Sequence, residues 1–558
     1  MSLLGLPVEL LDHIAFSLHP SSHLDFALAC RLLANLETIK HQLAHHRECF
    51  DRYRHTTDVG TATIPALLRA LLTDVPDTSL APHADEVHET RSLRLSPGPA
   101  SADPIAAWHV RSMIVFGARS TRKAWQQRIW DVRSPVYAPE PMEEKQEVLT
   151  GQEVESVQLL AQRWFGDGSL RSMTVVDELM EDIRNGRDEA MKALLVAMCP
   201  RIRVLSTSGN LCTSYRDNRI GIMRHPIRTI SKLAHMVHVA RLPIPPGFQS
   251  LRQISISVPG NPAGHLCWVS PASVKPLLSL PKLEHLYLAH IGSVDGVRDE
   301  ILELEPQSAN VSSVYFRQTA LSSADVWDLL RPIRALRSLT FEECLIDNVE
   351  LDSTAIISLV SRVVASHSEH LESLTFPERN IQYRQDVRFP LDQFSSVRNL
   401  KHITINIEDL RAKENSRRSS RLSPLDDPSY ADQSLFAWPE ALEMHSLTSL
   451  ELLGATVLSP AVTASLDATL AHAIESGRMP KLRCVDPRKV QLPISRTNLG
   501  GGPTAGEFSS RREAFPLLCE LGTKRGFAVL TSWEEDVRDF VPDLLPKTIQ
   551  ANIAEYFG

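Results

Sequence analysis

One spacing recurs along this chain and limits what it can become: an apolar residue, two variable ones, an apolar residue, one variable, an apolar residue. It reads Leu251-x-x-Ile254-x-Ile256, Leu283-x-x-Leu286-x-Leu288, Val311-x-x-Val314-x-Phe316, Leu336-x-x-Leu339-x-Phe341, Leu371-x-x-Leu374-x-Phe376, Leu400-x-x-Ile403-x-Ile405 and Leu447-x-x-Leu450-x-Leu452. The last two apolar residues of each copy alternate with polar ones, which is the period of a strand with one inward side. Helical stretches fall between the copies, at Asp188–Met198, Pro271–Leu280, Ser323–Leu330, Thr354–Val364 and Pro460–Ile474. Ser322 with Asp325, and Ser459 ahead of Pro460, supply helix starts, and Gly477 a stop. Each unit is therefore expected to be a helix and a short strand, burying its apolar side only against the next unit.

The copies lie 25 to 47 residues apart, so insertions intervene. Weaker copies sit at Ile202–Leu205 and Leu482–Val485, with Arg91–Leu95 as an early outlier. A layered α/β domain is the alternative. The strands of a fully buried parallel sheet would read as nearly unbroken apolar runs, whereas these alternate with Ser, Thr, Tyr, His and Glu.

The N-terminus carries a second signal. In Leu6-Pro7-Val8-Glu9-Leu10-Leu11-Asp12-His13-Ile14, the proline sits where a first helical turn tolerates it, and Leu6, Leu10, Leu11, Ile14 and Leu18 share one helical side. Pro20 closes that helix, and Ser22 with Asp25 predicts a capping box opening a second one, striped by Leu24, Leu28, Leu32 and Leu36. So short a segment cannot enclose that apolar surface alone. Something else must cover it.

This string, with Ala27-x-x-Cys30-Arg31, resembles the F-box, a helical module that docks onto the Skp-type adaptor of a cullin ubiquitin ligase; the resemblance spans about Leu3 to Phe50. Leu33 stands where F-box sequences often carry Trp. The recurring strands resemble the leucine-rich-repeat class with long, degenerate repeats, over about Arg201 to Asp486. The usual Asn or Cys after the last apolar residue is replaced by Pro259, Ile291, Thr319, Arg379, Glu408 and Ala455, with Cys344 the lone match. The expected fold is thus an α+β or α/β repeat protein: a three-helix F-box followed by an irregular solenoid with parallel strands on its concave side. Its expected divisions are a helical module over 1–50, a mostly helical connection over 51–186, repeats over 187–520 and a cap over 521–558. In the connection Ala106–Ala118 and Arg122–Trp130 read as helical, while 411–433 and 497–510 read as loops.

A formal charge of -8 with 6% aromatic residues leaves no basic, aromatic-rich surface for nucleic acid. No apolar run approaches a membrane span, and the leading segment carries Glu9 and Asp12 rather than a signal peptide's cationic start, so an intracellular protein of cytoplasm or nucleus is expected. The eight cysteines, Cys30, Cys49, Cys199, Cys212, Cys267, Cys344, Cys484 and Cys519, form no metal-binding or disulfide pattern and read as small hydrophobes.

Sites for chemistry are sparse. Gly500–Gly506 lacks the Gly-Lys-Ser/Thr ending of a phosphate loop, His41 and His45 lack a third ligand and the Glu of a metalloprotease, and there is no Gly-x-Ser-x-Gly elbow. Arg417–Arg421 suits a kinase or an import receptor but reads first as a solvated loop.

The F-box resemblance implies a non-catalytic substrate-recognition subunit without cofactor or metal. In it Leu6, Pro7, Leu10, Leu11, Ile14, Leu24, Cys30 and Leu36 form the adaptor interface or the helical core behind it. Through that adaptor it would join a cullin-RING ligase, and the repeats would hold a protein client; neither nucleic acid nor membrane is an expected partner. Client contacts are expected from the variable position of each strand: Ser255, Tyr287, Tyr315, Thr340, Thr375, Thr404 and Glu451. The alternative is a leucine-rich-repeat scaffold with no ligase.

Overall fold

All three apolar positions of every copy of the spacing are buried, none more than 3% exposed. They lie in a computed structural model that describes residues 3–58, 63–72, 104–116, 149–166, 169–208, 226–257, 269–289, 291–292, 303–342, 344–346, 353–376, 389–411, 435–440, 442–454, 457–494 and 508–532. The chain divides into two units, Met1–Leu283 with Gly296–Glu303, and Glu284–Asp295 with Leu304–Gly558.

The first unit opens with four helices, α1 (Val8–Ser17), α2 (His23–Ala29), α3 (Arg31–Ala34) and α4 (Glu37–Tyr53), followed by β1 (His55–Thr57), α5 (Thr63–Leu71), α6 (Pro104–His109) and β2 (Ser112–Phe116). It continues with α7 (Gly151–Phe165), α8 (Leu170–Arg184), α9 (Asp188–Met198), β3 (Val204–Ser208), α10 (Pro226–Val239), α11 (Pro246–Ser250), β4 (Gln253–Ser257) and α12 (Pro271–Val274). The strands β1 to β4 pair in parallel in chain order, with Thr57, Ile114, Ser206 and Ser255 in one register. All eleven residues of α9 are buried. It is an interior helix, apolar apart from Asp188, Glu189 and Lys192 near its start, and its backbone is approached so closely by α11 that a Cβ on Gly247 would sit 2.0 Å from the Val196 carbonyl oxygen. Only glycine fits there.

The second unit holds β5 (His285–Ala289), β6 (Ser313–Arg317), β7 (Ala320–Leu321), α13 (Ser323–Leu330), β8 (Ser338–Glu342), β9 (Leu345–Ile346), α14 (Ser353–His367), β10 (Ser373–Thr375), β11 (His402–Asn406) and β12 (Ser449–Gly454). It ends with α15 (Pro460–Glu475), β13 (Cys484–Val490), α16 (Arg511–Ala514), α17 (Pro516–Arg525) and β14 (Ala528–Val529). Its strands β5, β6, β8, β10, β11, β12, β13 and β14 pair in parallel in that order, while β7 and β9 form a separate parallel pair. The fold is thus mixed helix and parallel sheet.

The helix signals behave as their chemistry requires. Ser322 Oγ accepts from Asp325 N at 3.0 Å, and the Asp325 carboxylate accepts from Ser322 N at 3.4 Å. Ser459 caps α15 with Pro460 in its first turn, and Gly477 follows with a φ of +81°, donating to Ile474 O at 3.1 Å. Both weaker copies of the spacing become strands, β3 and β13.

Three expectations are corrected. Residues 106–118 are not one helix: α6 ends at His109, and β2 follows, because Val110-x-x-Met113-x-Val115 is itself a copy of the strand spacing with all three residues buried. Ser22 makes no side-chain cap on α2. The stripe from Leu24 to Leu36 is not one helix either, because Cys30 is extended (φ -166°, ψ 162°) and separates α2 from α3, so the module has four helices in place of three. Residues 91–95, 122–130 and 497–507, with most of 411–433 and the cap beyond 532, lie outside the described residues.

Candidate docking face on the N-terminal module

The opening helices enclose a small core of their own. Leu11 and Ala15 of α1, Ala27 of α2, Leu33 of α3, Leu36 and Ile39 are buried together, with Leu6, Phe26, Cys30, Ala34 and Leu43 packed against them. Gln42 of α4 donates to Ala15 O at 3.1 Å, satisfying a carbonyl in the last turn of α1. Pro7 stands just before α1, and its carbonyl accepts from Leu10 N at 3.0 Å and Leu11 N at 3.1 Å.

This core does not use all the apolar residues. Leu10, Leu24, Leu28, Leu32, Val8 and Phe16 remain exposed, Leu28 at 74% and Phe16 at 73%. Nine of the fourteen exposed large hydrophobics among the described residues fall between Leu3 and Phe50. Scattered single exposures need no explanation, whereas these are concentrated on one small module.

The eight residues expected to serve an adaptor therefore divide. Leu11 and Leu36 are core; Leu6, Ile14 and Cys30 are half-buried; Pro7, Leu10 and Leu24 face outward. The expectation passed over Val8, Phe16, Leu28 and Leu32. Leu28 had a legible signal, since it lies one turn beyond Leu24 on the same side of α2. Phe16 had none: it follows the buried Ala15, and only the packing of α1 shows that it points away.

A chain of histidines joins this module to α6. His23 Nε2 donates to Leu18 O at 3.0 Å, His46 Nε2 faces His23 Nδ1 at 2.9 Å, and His109 Nε2 faces His46 Nδ1 at 2.7 Å. A carbonyl only accepts, so His23 carries its proton on Nε2 and accepts on Nδ1, and the same tautomer is set in turn at His46 and His109. Burial holds His23 below the ordinary imidazole range. His45, by contrast, lies by Cys49 Sγ, 3.4 Å away; among the described residues no cluster of His, Cys, Asp or Glu is arranged to hold a metal.

The row expected to meet a client is nearly closed to solvent. Tyr287, Tyr315, Thr340, Thr375, Thr404 and Glu451 do share one register across the second unit, but all except Glu451 are at most 8% exposed, as is Ser255 in the first unit. Several of their polar atoms are bonded within the row or to the strands beside it, while Thr340 Oγ1 has no partner among the described residues. The Tyr287 and Tyr315 rings stack with centroids 5.0 Å apart, and the Tyr315 hydroxyl donates to Glu342. Thr404 donates to Glu451 Oε2 at 2.7 Å, and Lys489 Nζ lies 3.0 Å from Glu451 Oε1. Burial alone would raise the Glu451 carboxyl; Lys489 and His402 outweigh it and hold the group below its usual range. Burial likewise lowers His402. Parallel strands in register bring like positions within about 5 Å, so side chains alternating outward close over each other. The alternation predicts which side they take, not whether solvent reaches them.

No helix among the described residues is long and apolar enough to cross a membrane. No family model matches the chain, and no curated protein matches it. Among solved structures it is similar to the complex of Rad7 and Elc1 in yeast, at 17% identity over 56% of this chain and 70% of that one, with a TM-score of 0.27. That overlap is too slight to bear on fold or function.

Proposed function

We propose that the N-terminal module docks onto the Skp-type adaptor of a cullin ubiquitin ligase, and that the repeats present a protein client to it. The observation that carries this reading is the exposed apolar set Leu10, Phe16, Leu24, Leu28 and Leu32, standing over a core the module has already sealed. The resemblance of Leu6–Ile14 and Ala27–Arg31 to the F-box supplies the identity of the partner. On this reading the chain catalyses nothing: it raises the effective concentration of a client lysine beside a charged ubiquitin.

The test is capture of purified Skp-type adaptor by the full chain. Leu24→Asp with Leu28→Asp should abolish capture without lowering the thermal midpoint, since both side chains are exposed. Failure of the native chain to bind the adaptor would leave the scaffold reading, a repeat protein without a ligase.

A further inference from the structure

Where the strands of the first unit begin, arginine recurs. Arg54, Arg111, Arg203 and Arg252 each stand one residue before a strand, and backbone bonds link them in series: Arg111 N to Arg54 O at 3.1 Å, Arg203 N to Arg111 O at 2.7 Å, Arg252 N to Arg203 O at 2.9 Å. Neighbouring strands are about 4.8 Å apart, so the backbones of these arginines follow one another at that interval, with the Arg54 guanidinium lying 4.9 Å from the centre of the Phe50 ring. Arg201 joins them, its guanidinium 4.6 Å from the centre of the Trp108 ring, while Arg111 Nη1 donates to Trp108 O at 3.0 Å.

Among the described residues Arg54, Arg111, Arg201 and Arg203 make no ion pair with a carboxylate. Burial and the guanidiniums of Arg201, Arg203 and Arg54 together bring Arg111 down to about 10, and no carboxylate acts on it. Arg201 is lowered too, by burial and Arg203. At the equivalent edge of the second unit, opposite charges alternate: Glu372 pairs with Lys401 at 2.6 Å and with Arg337 at 3.8 Å. A chain of net charge -8 thus keeps one edge where like charges crowd together. Such crowding destabilises a protein unless an anion relieves it.

We propose that Arg54, Arg111, Arg201 and Arg203 form a binding site for a doubly phosphorylated protein segment. Guanidinium forks match phosphate oxygens bidentately, and each phosphate brings about -1.5 to -2 charges. In an extended segment lying along the ladder, phosphorylated residues two apart are about 7 Å from each other on one side, within the span of three arginines. A nucleic acid fits less well: the chain's net charge repels a long polyanion, and the Trp108 ring is already taken by Arg201 and the edge of His19. The assignment is independent of the adaptor reading, and Leu24→Asp should leave it untouched.

The test is fluorescence polarisation with the full chain and a labelled Gly- and Ala-flanked peptide carrying phosphoserine-x-phosphoserine. That peptide should bind at least tenfold more tightly than its unphosphorylated form, and binding should weaken as salt rises. Arg111→Gln with Arg203→Gln should lose at least tenfold while the thermal midpoint holds or rises, because a repelled charge has gone; Arg203→Lys should lose less. Equal affinity for the unphosphorylated peptide, or undiminished binding by the double variant, would overturn the proposal. So would a poly-uridine oligonucleotide of equal charge binding more tightly, or inorganic pyrophosphate displacing the peptide at equal concentration.

Discussion

Lys192 Nζ lies 2.5 Å from Asp58 Oδ2, with both side chains wholly buried, and 2.8 Å from Asp188 Oδ2 one helical turn away. The triad fastens the interior helix α9 to the residue that follows β1. Removing one member of a buried ion pair typically costs about 3 to 5 kcal/mol, because the remaining charge keeps its desolvation penalty without its partner. Lys192→Met strands two carboxylates and should lower the urea midpoint by that order. A change under about 1 kcal/mol would show that the triad holds nothing together.

The histidine chain predicts acid sensitivity in the N-terminal module. A proton added to His23 has no acceptor on Nδ1, where His46 already donates. The folded pKa of His23 lies below its unfolded one, so its share of stability is present above about pH 6.5 and is lost as pH falls through the lowered value. Protection factors of the α2 amides, taken relative to the intrinsic exchange rate at each pH, should therefore fall between pH 7 and pH 5, and His46→Phe should flatten that response. Nitrogen shifts showing the Nδ1–H tautomer at His46 would refute the chain's direction.

His367, at the end of α14, is 2% exposed, and neither ring nitrogen has a partner among the described residues. Burial is the main cause of its pKa falling to about 4, with His370 adding to it. The gap from 6.5 is worth about 3 kcal/mol, present above pH 6.5 and lost as pH falls to 4. His367→Met should raise stability at neutral pH, since it removes two orphaned polar atoms, and should shrink the fall in thermal midpoint between pH 6.5 and pH 4. Unchanged pH dependence would place the acid sensitivity elsewhere.

The Tyr287 and Tyr315 stack makes these residues structural. Each truncation to Ala should cost about 3 kcal/mol in urea unfolding, in the range seen for buried aromatic residues. Tyr315→Phe should cost about 1 kcal/mol, the net worth of the bond to Glu342. Loss of stability below about 0.5 kcal/mol for Tyr287→Ala would mean that the ring is not packed as described.

Strand position was legible because a strand with one buried side must repeat its apolar residues at a period of two, and seven copies of one spacing leave no other regular solution. Local chemistry also announced the starts of α13 and α15 and the stop at Gly477, since those signals act within one helical turn. Long-range packing decided the rest. Whether Tyr287 meets solvent depends on Tyr315, 28 residues on, and the arginine edge exists only because strands from distant segments align in register. The break at Cys30, and the outward turn of Phe16 and Leu28, follow from which side of each short helix the small core had room to accept. Sequence neighbours carry no record of those contacts.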